Sequence, residues 1–143
     1  MRHRRAGKKL SRSANTRKAL FVNLLTTFFE NGKVVTTQAK TKAIQGKIDD
    51  LINKAKQPNL ISRRFIYSFL KTSKGVQKLI KEIASRYPNR KSGYTRLVKI
   101  GSRRGDQAMM VKLELIKESE EREAKEESKE RVGSKKIKTK KKI

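Results

Sequence analysis

Residues 92–115 read SGYTRLVKIGSRRGDQAMMVKLEL, and they carry the clearest indication of the fold. Two runs within and just beyond this segment, 94–100 and 109–116, are rich in aliphatic and β-branched residues and predict two strands. The link between them, GSRRGDQA, is long for a tight hairpin turn, so we expect it to project from the sheet. The second run alternates apolar and polar residues, which predicts one apolar sheet face made of Met109, Val111, Leu113 and Leu115.

The chain before this segment has the apolar spacing of amphipathic helices. One helix is predicted over about 16–30 and ends at Asn31-Gly32, since glycine readily adopts a left-handed stop. The β-branched run VVTT then favours a short strand, and a second helix follows over about 38–56, ended by Pro58. The apolar positions are Leu20, Phe21, Leu24, Leu25 and Phe28 in the first helix, and Ile44, Ile48, Leu51, Ile52 and Ala55 in the second.

Two shorter helices are predicted before the strand pair. Ile61, Phe65 and Phe69 mark the third helix, and we interpret its phenylalanines as core residues. Ser73 is predicted to cap the fourth. Its inward face consists of Val76, Leu79, Ile80 and Ile83. Amphipathic helices packed on one face of a small β-sheet give an α+β domain, which is the predicted fold class.

Charge divides the chain into three parts. Residues 1–15 form a basic extended N-terminal arm, and no acid precedes Glu30. Residues 16–116 contain every Phe and Tyr, so a compact domain is expected there. The polar C-terminal extension, 117–143, has no aromatic residue, and both a solvent-exposed helix and a disordered segment remain open for it.

The overall charge identifies the class of partner. Of 143 residues, 39 are Lys or Arg and 13 are Asp or Glu, a formal net charge of +26. So large an excess favours polyanions, with nucleic acid the leading partner and an anionic membrane second. The chain has no cysteine and no apolar run of about 18 residues, so a cytoplasmic protein without a membrane segment is expected.

Residues for catalysis are scarce. The single histidine, His3, lies in the arm, and the neighbouring Asp49 and Asp50 diverge on a predicted helix, which makes them a poor acid–base pair. We interpret the RGD letters at 104–106 as a basic loop in which the acid orients an arginine, rather than as an adhesion motif. The sequence therefore predicts no enzyme, no metal or cofactor, and no small-molecule substrate.

Four groups of bases are candidates for phosphate contacts. The first group is the arm, which Arg17 and Lys18 extend into the first helix. Its six bases are Arg2, Arg4, Arg5, Lys8, Lys9 and Arg12. We expect them to contact RNA, because so many like charges are costly unless phosphates neutralise them. The second group, at the start of the second helix, is Lys40, Lys42 and Lys47, and for it a solvated helix face is favoured over contact with phosphate. For Tyr87 and Tyr94, packing at the domain edge is favoured over stacking on bases. The third group is Arg63 and Arg64, and the fourth is Arg86, Arg90, Lys91, Arg96, Lys99, Arg103 and Arg104.

Several motifs in this order resemble the family of bacterial-type large-subunit ribosomal protein seventeen. They are MRHRRAGKKLSR, RKAL followed by an Asn, VVTTQAKTKA, KLIKEIASRY and SGYTRLVKIGSRRGDQAMMVKLEL, and the resemblance runs from residue 1 to about 116. The arm signature comprises Arg2, His3, Arg4, Gly7, Lys9, Leu10 and Arg12. The hairpin signature comprises Tyr94, Thr95, Arg96, Arg103, Arg104, Gly105 and Asp106. Ala43-Ile44-Gln45-Gly46 departs from the family pattern of acid and arginine at this point, and the extension is longer than is common.

The resemblance implies a compact α+β domain on large-subunit (23S-type) rRNA, with the arm inserted among RNA helices. It also implies a cytoplasmic place on the solvent side of the large subunit near the peptide exit tunnel, beside other ribosomal proteins. The predicted function is a structural constituent that supports subunit assembly and translation; a DNA-compacting protein and a membrane-active peptide are the rivals. The residues predicted to bind RNA are Arg2, His3, Arg4, Arg5, Lys8, Lys9, Arg12, Arg17, Lys18, Lys40, Arg90, Arg96, Arg103 and Arg104.

Overall fold

The structure is a computed structural model that describes residues 7–57 and 59–116. Helices come first in the chain and two of the three strands come last, which confirms the predicted α+β class. The helical elements are α1 (Ala14–Asn31), α2 (Gln38–Ala55), α3 (Leu60–Phe69), α4 (Ser73–Lys78), a π-helical turn (Leu79–Ile83) that continues α4, and α5 (Ala84–Arg86). The strands are β1 (Lys33–Thr37), β2 (Thr95–Ser102) and β3 (Met109–Leu115).

The three strands form an antiparallel sheet in the order β1-β3-β2. The central strand β3 buries Val111 and Leu113, as its alternating pattern predicts, and Leu115 is partly buried against the core. Met109 is 39% exposed, so the predicted apolar face does not extend to the first residue of the strand. On the opposite face Val35 is 52% exposed and Ile100 is 59% exposed. The helices therefore cover one face of the sheet and leave the other in contact with solvent.

Local signals explain where the helices begin and end. The Ser13 hydroxyl accepts a hydrogen bond from Thr16 N–H and caps α1. Gly32 has a φ of 71° and donates its N–H to the Phe28 carbonyl, so the predicted left-handed stop is confirmed. Asn59 caps α3 by accepting from Ser62 N–H at 2.9 Å.

Helix α2 forms the centre of the core, because its inward residues are surrounded by the other elements. Ile44, Ile48 and Ile52 are fully buried, and the predicted apolar face of this helix is confirmed. Phe28 and Phe29 of α1 pack beside them with their rings edge to face, 5.4 Å apart. Burying aliphatic and aromatic side chains of this kind is the main stabilising contribution to such a domain.

The third helix corrects one prediction. Ile61 is 77% exposed and Phe65 is 40% exposed, whereas Ser62 and Ile66 are buried. The core interpretation of Phe65 is therefore wrong, although Phe69 does pack against the core. Two stripes on this helix have nearly the same helical spacing: residues 61, 65 and 69, and residues 62, 66 and 69. Only the packing of α3 against its neighbours decides which stripe faces the core.

A second correction concerns the start of the fourth helix. The capping position is Thr72, and Ser73 is the first helical residue. The prediction that Ser73 caps this helix is therefore wrong, and the Thr72 side chain makes no capping hydrogen bond either. The inward face itself is confirmed for Val76, Leu79 and Ile83, with Ile80 partly buried against the core. In the described parts of the chain, none of the helices is both long and apolar enough to cross a membrane.

Candidate nucleic-acid interface

The hairpin that carries the arginines is anchored to α2 just before its first strand, β2, begins. The Asp49 carboxylate accepts hydrogen bonds from the N–H groups of Gly93 and Tyr94, at 3.0 and 3.3 Å. Gly93 has a φ of 68°, which glycine adopts without strain. Asp49 thus holds the entry to β2 in place, a structural role that fits its unsuitability for acid–base chemistry.

A buried polar network extends this anchor. The Tyr94 side chain is fully buried, and its hydroxyl accepts from Lys56 Nζ at 2.7 Å. The same hydroxyl lies within donating distance of Asn53 Oδ1 and the Arg90 carbonyl. Lys56 also donates to the Arg90 carbonyl, and its Nζ lies 4.7 Å from the centroid of the Tyr94 ring. Tyr94 is therefore a core residue, and the predicted packing role is confirmed for it and for the equally buried Tyr87.

The loop between β2 and β3 displays two arginines in different states. Arg103 Nε donates to Asp106 Oδ1 at 3.1 Å, and a second guanidinium nitrogen donates to Oδ2. The Asp106 carboxylate also accepts from Ala108 N–H. The hydrogen bond from Arg103 first and this backbone donor second lower the pKa of Asp106 to about 2, because both favour the ionised carboxylate. The acid therefore orients an arginine, as the sequence predicts for this loop.

Arg104 is exposed beside this pair, and within the described residues its guanidinium has no hydrogen-bond or ion-pair partner. Arg96 differs, because its guanidinium donates to Glu114 Oε1 at 2.7 Å across the β2–β3 pair. Lys112 binds the other oxygen of Glu114, and hydrogen bonds from Lys112 and then Arg96 lower the pKa of that carboxylate. Arg90 is half-buried and donates from Nε to the Ser92 carbonyl.

The inner end of the basic arm is folded back and fixed to α1. Leu10 and Ser11 have positive φ values of 56° and 50°, and Arg12 N–H closes a turn onto the Lys9 carbonyl. Arg17, one turn into α1, donates to the carbonyls of Lys9 and Arg12. A residue chosen from the sequence for its charge therefore also clamps the arm.

The clamp places bases from three segments around one cleft of about 500 Å³. Lys8 and Lys9 of the arm, and Arg17 of α1, line one part of it; the α2 lysines line another. Among the described residues, none of the side chains that line it is a carboxylate. The lining consists of Gly7, Lys8, Lys9, Arg17, Phe21, Lys42, Ala43 and Lys47. Such a surface attracts and can hold phosphate groups.

The cleft only partly matches the residues chosen from the sequence. Lys42 and Lys47 line it, whereas Lys40 lies half-buried in the first turn of α2 and does not. The sequence groups Lys42 and Lys47 as candidates on one helix. They are five residues apart, about 140° around it, so helical spacing alone does not put them on one face, and the tertiary structure brings them to the same cleft. Arg12 and Lys18 are exposed nearby, and no hairpin arginine lines the cleft. Arg2, His3, Arg4 and Arg5, with the extension 117–143, lie outside the described residues.

Within residues 7–57 and 59–116, no group of three or more His, Cys, Asp or Glu side chains has metal-binding geometry. The cleft and the hairpin loop are two positively charged features of the described surface. Their chemistry is that of positively charged donors offered to an anionic partner.

Comparison with known proteins gives a consistent result. The family model described as Ribosomal protein L17 matches residues 20–116. A large ribosomal subunit protein bL17 from Pelobacter propionicus is 41% identical over 118 residues, which cover 82% of this chain and 93% of the relative. The bL17 protein of Dictyoglomus thermophilum is 40% identical over 81% of this chain and 100% of its own length. That of Carboxydothermus hydrogenoformans is 44% identical over 76% of this chain and 96% of the relative.

Proposed function

Because the chain belongs to the ribosomal protein L17 family, we propose that it binds large-subunit (23S-type) rRNA through its basic arm and its arginine-rich hairpin. Membership makes it a non-enzymatic, structural constituent of the large ribosomal subunit in bacteria. The rRNA contacts would support subunit assembly and translation. The mechanism would be charge neutralisation combined with shape fitting, in which phosphates approach a preformed basic surface.

The basic cleft is the observation that carries this proposal. Five cationic side chains from the arm, α1 and α2 converge on one concave surface, and Arg17 holds the arm in the conformation that brings them together. Concentrating this charge is unfavourable in the free protein, because like charges repel. Binding of several phosphates relieves the repulsion and releases counterions from the RNA.

The hairpin would act as a second contact. Asp106 holds the Arg103 guanidinium in one orientation, and Arg104 is exposed beside it. An oriented guanidinium loses less rotational freedom when it binds a phosphate through two parallel hydrogen bonds. We include Arg90 and Arg96 among the proposed RNA-binding residues. Their guanidinium groups already have partners within the domain, so they would shape this surface.

We further propose the division suggested by charge: an arm of residues 1–15, an rRNA-binding domain of residues 16–116 and an extension of residues 117–143. The arm would lie among RNA helices, and the domain would sit in cytoplasmic ribosomes on the solvent side of the subunit, near the peptide exit tunnel. Neighbouring large-subunit proteins would be its other partners.

The experiment is a salt titration of the affinity of the full chain for large-subunit rRNA. The triple variant K8Q/K42Q/K47Q removes the charge of three lysines in the cleft, and with it three of the proposed phosphate contacts. Each phosphate contact contributes about 0.7–0.9 to the slope of log K against log salt. The slope should therefore fall by about 2–3. If both proteins bind equally at 1 M salt, the affinity at 0.1 M should drop roughly 100- to 1,000-fold.

The control variant K54Q/K74Q/K81Q removes the same charge from exposed helix positions outside the cleft. Its slope should change by less than one unit. Equal losses in the two variants would mean that net charge alone drives binding, and a wild-type affinity indifferent to salt would exclude the mechanism. Duplex DNA serves as competitor: a preference for DNA over structured rRNA would favour the DNA-compacting alternative.

A further inference from the structure

A second cavity, which we call the notch, lies between α1 and α3 and has a volume of about 300 Å³. Phe21 and Val22 of α1, and Phe69 of α3, form its apolar lining. Val22 is buried, whereas the two phenylalanines are only partly buried and retain accessible surface. Arg17 and Lys18 are the charged members of the lining. The notch therefore combines aromatic surface with adjoining cations.

The notch adjoins the basic cleft. Arg17 and Phe21 line both cavities, so one arginine and one aromatic ring form the wall between them. Lys47 of the cleft lies with its Nζ 5.9 Å from the centroid of the Phe69 ring of the notch. A cation at this distance is attracted to the face of the ring and ties the two surfaces together. Anionic and aromatic groups of one ligand can thus be bound side by side.

We propose that this composite site binds one unstacked nucleotide of the RNA, with its phosphate in the basic cleft and its base in the notch. The inference rests on the proposed rRNA-binding function and deepens it. Proteins recognise RNA largely through single-stranded or extruded bases that pack on aromatic rings and arginine planes. A nucleotide is the ligand that carries both a flat aromatic base and an adjoining phosphate, which the phenylalanines and the cations match.

Photochemical cross-linking of the full chain to large-subunit rRNA tests the geometry directly. After ultraviolet irradiation, nuclease and tryptic digestion, mass spectrometry should find nucleotide adducts on Phe21, in peptide 19–33, or on Phe69, in peptide 65–71. Adducts confined to other peptides, in a sample that binds the RNA with a steep salt dependence, would overturn the inference and leave the proposed function intact. A wild-type chain without salt-dependent binding would instead remove the function on which the inference rests.

Affinity measurements provide the second readout. Phe69→Leu keeps an apolar side chain in the notch but removes the ring, and should weaken rRNA binding roughly 5- to 100-fold, the range for one stacked base. Its salt slope should match wild type, because no charge is lost. Tyr67→Leu, on the same helix, half-exposed and outside the notch lining, should bind like wild type.

Two outcomes would assign the notch to something else. If Phe69→Leu leaves binding unchanged and only lowers the thermal midpoint of the free protein, the notch serves internal packing. If removal of residues 1–6 increases hydrogen exchange at 65–69 in the free protein, the chain's own arm occupies it. Either result contradicts the inference.

Discussion

Replacing Tyr94 by phenylalanine removes one oxygen atom from the buried network that anchors the hairpin. The Lys56 ammonium then loses an acceptor at 2.7 Å, and the hydroxyl donor near Asn53 Oδ1 and the Arg90 carbonyl disappears. Lys56 keeps its bond to the Arg90 carbonyl and its position near the ring. The variant therefore isolates the hydroxyl from the aromatic packing of the side chain.

The magnitude follows from these contacts. The hydrogen bond from the Lys56 ammonium contributes about 1.5–3 kcal/mol and the one that the hydroxyl donates about 0.5–1.5 kcal/mol, and part of this loss is offset because phenylalanine is less costly to bury. We expect the free energy of unfolding to fall by about 2–3 kcal/mol. For a domain of about 100 residues, this corresponds to a decrease of roughly 10–15 °C in Tm.

Urea unfolding of the full chain, followed by circular dichroism in 0.5 M KCl to screen the repulsion between its cations, measures the effect. Tyr67→Phe is the matched control, because Tyr67 is 48% exposed and its hydroxyl makes no hydrogen bond within the described residues; its change should stay below about 0.5 kcal/mol. The salt slope of rRNA binding should be unchanged in both. A Tyr94→Phe chain as stable as the control would refute the view that this network holds the hairpin.

The remaining predictions concern the hairpin loop and two glycines of the backbone. Asp106→Asn removes one negative charge from the loop, so charge alone would raise the affinity for rRNA. We expect the opposite, because Arg103 loses the carboxylate that orients it. Filter binding should show a 2- to 10-fold decrease in affinity, roughly the cost of ordering one side chain. Since the pKa of Asp106 lies near 2, below its ordinary 3.8, the contribution of the ion pair is complete above about pH 4 and is lost as the pH falls through about 2. Carboxyl chemical shifts should show that midpoint, and a midpoint near 4 would contradict the pairing. Gly32→Ala should destabilise the domain by about 1–2 kcal/mol because of its φ of 71°, although a Cβ there meets no atom within 4 Å. Gly46→Ala, with equal space inside α2, should stabilise it by about 0.5–1 kcal/mol, and urea unfolding that gives the two changes the same sign would contradict this.

Much of the fold follows from patterns within short segments. The sequence predicts the alternation of Val111 and Leu113 in β3, most of the apolar face of α1, all of that of α2, and the Asn31-Gly32 stop, and the structure confirms them. These features depend on backbone geometry, which repeats every 2 or 3.6 residues and is therefore visible in neighbouring letters. The role of Asp106 beside Arg103 is of the same kind, because the two residues lie three positions apart in one loop.

Other features depend on contacts between distant segments. In α3 the core position predicted for Phe65 is wrong and that for Phe69 is confirmed, because two neighbouring stripes have nearly equal spacing and only packing selects one. The basic cleft needs Lys8, Lys42 and Lys47 to converge, and this follows from the path of the arm and the clamp made by Arg17. Charge marks such residues as candidates without stating which of them meet. The sequence of neighbouring residues determines local backbone geometry. The partners of a side chain depend instead on how the helices and the sheet pack, and this packing involves all residues of the core together.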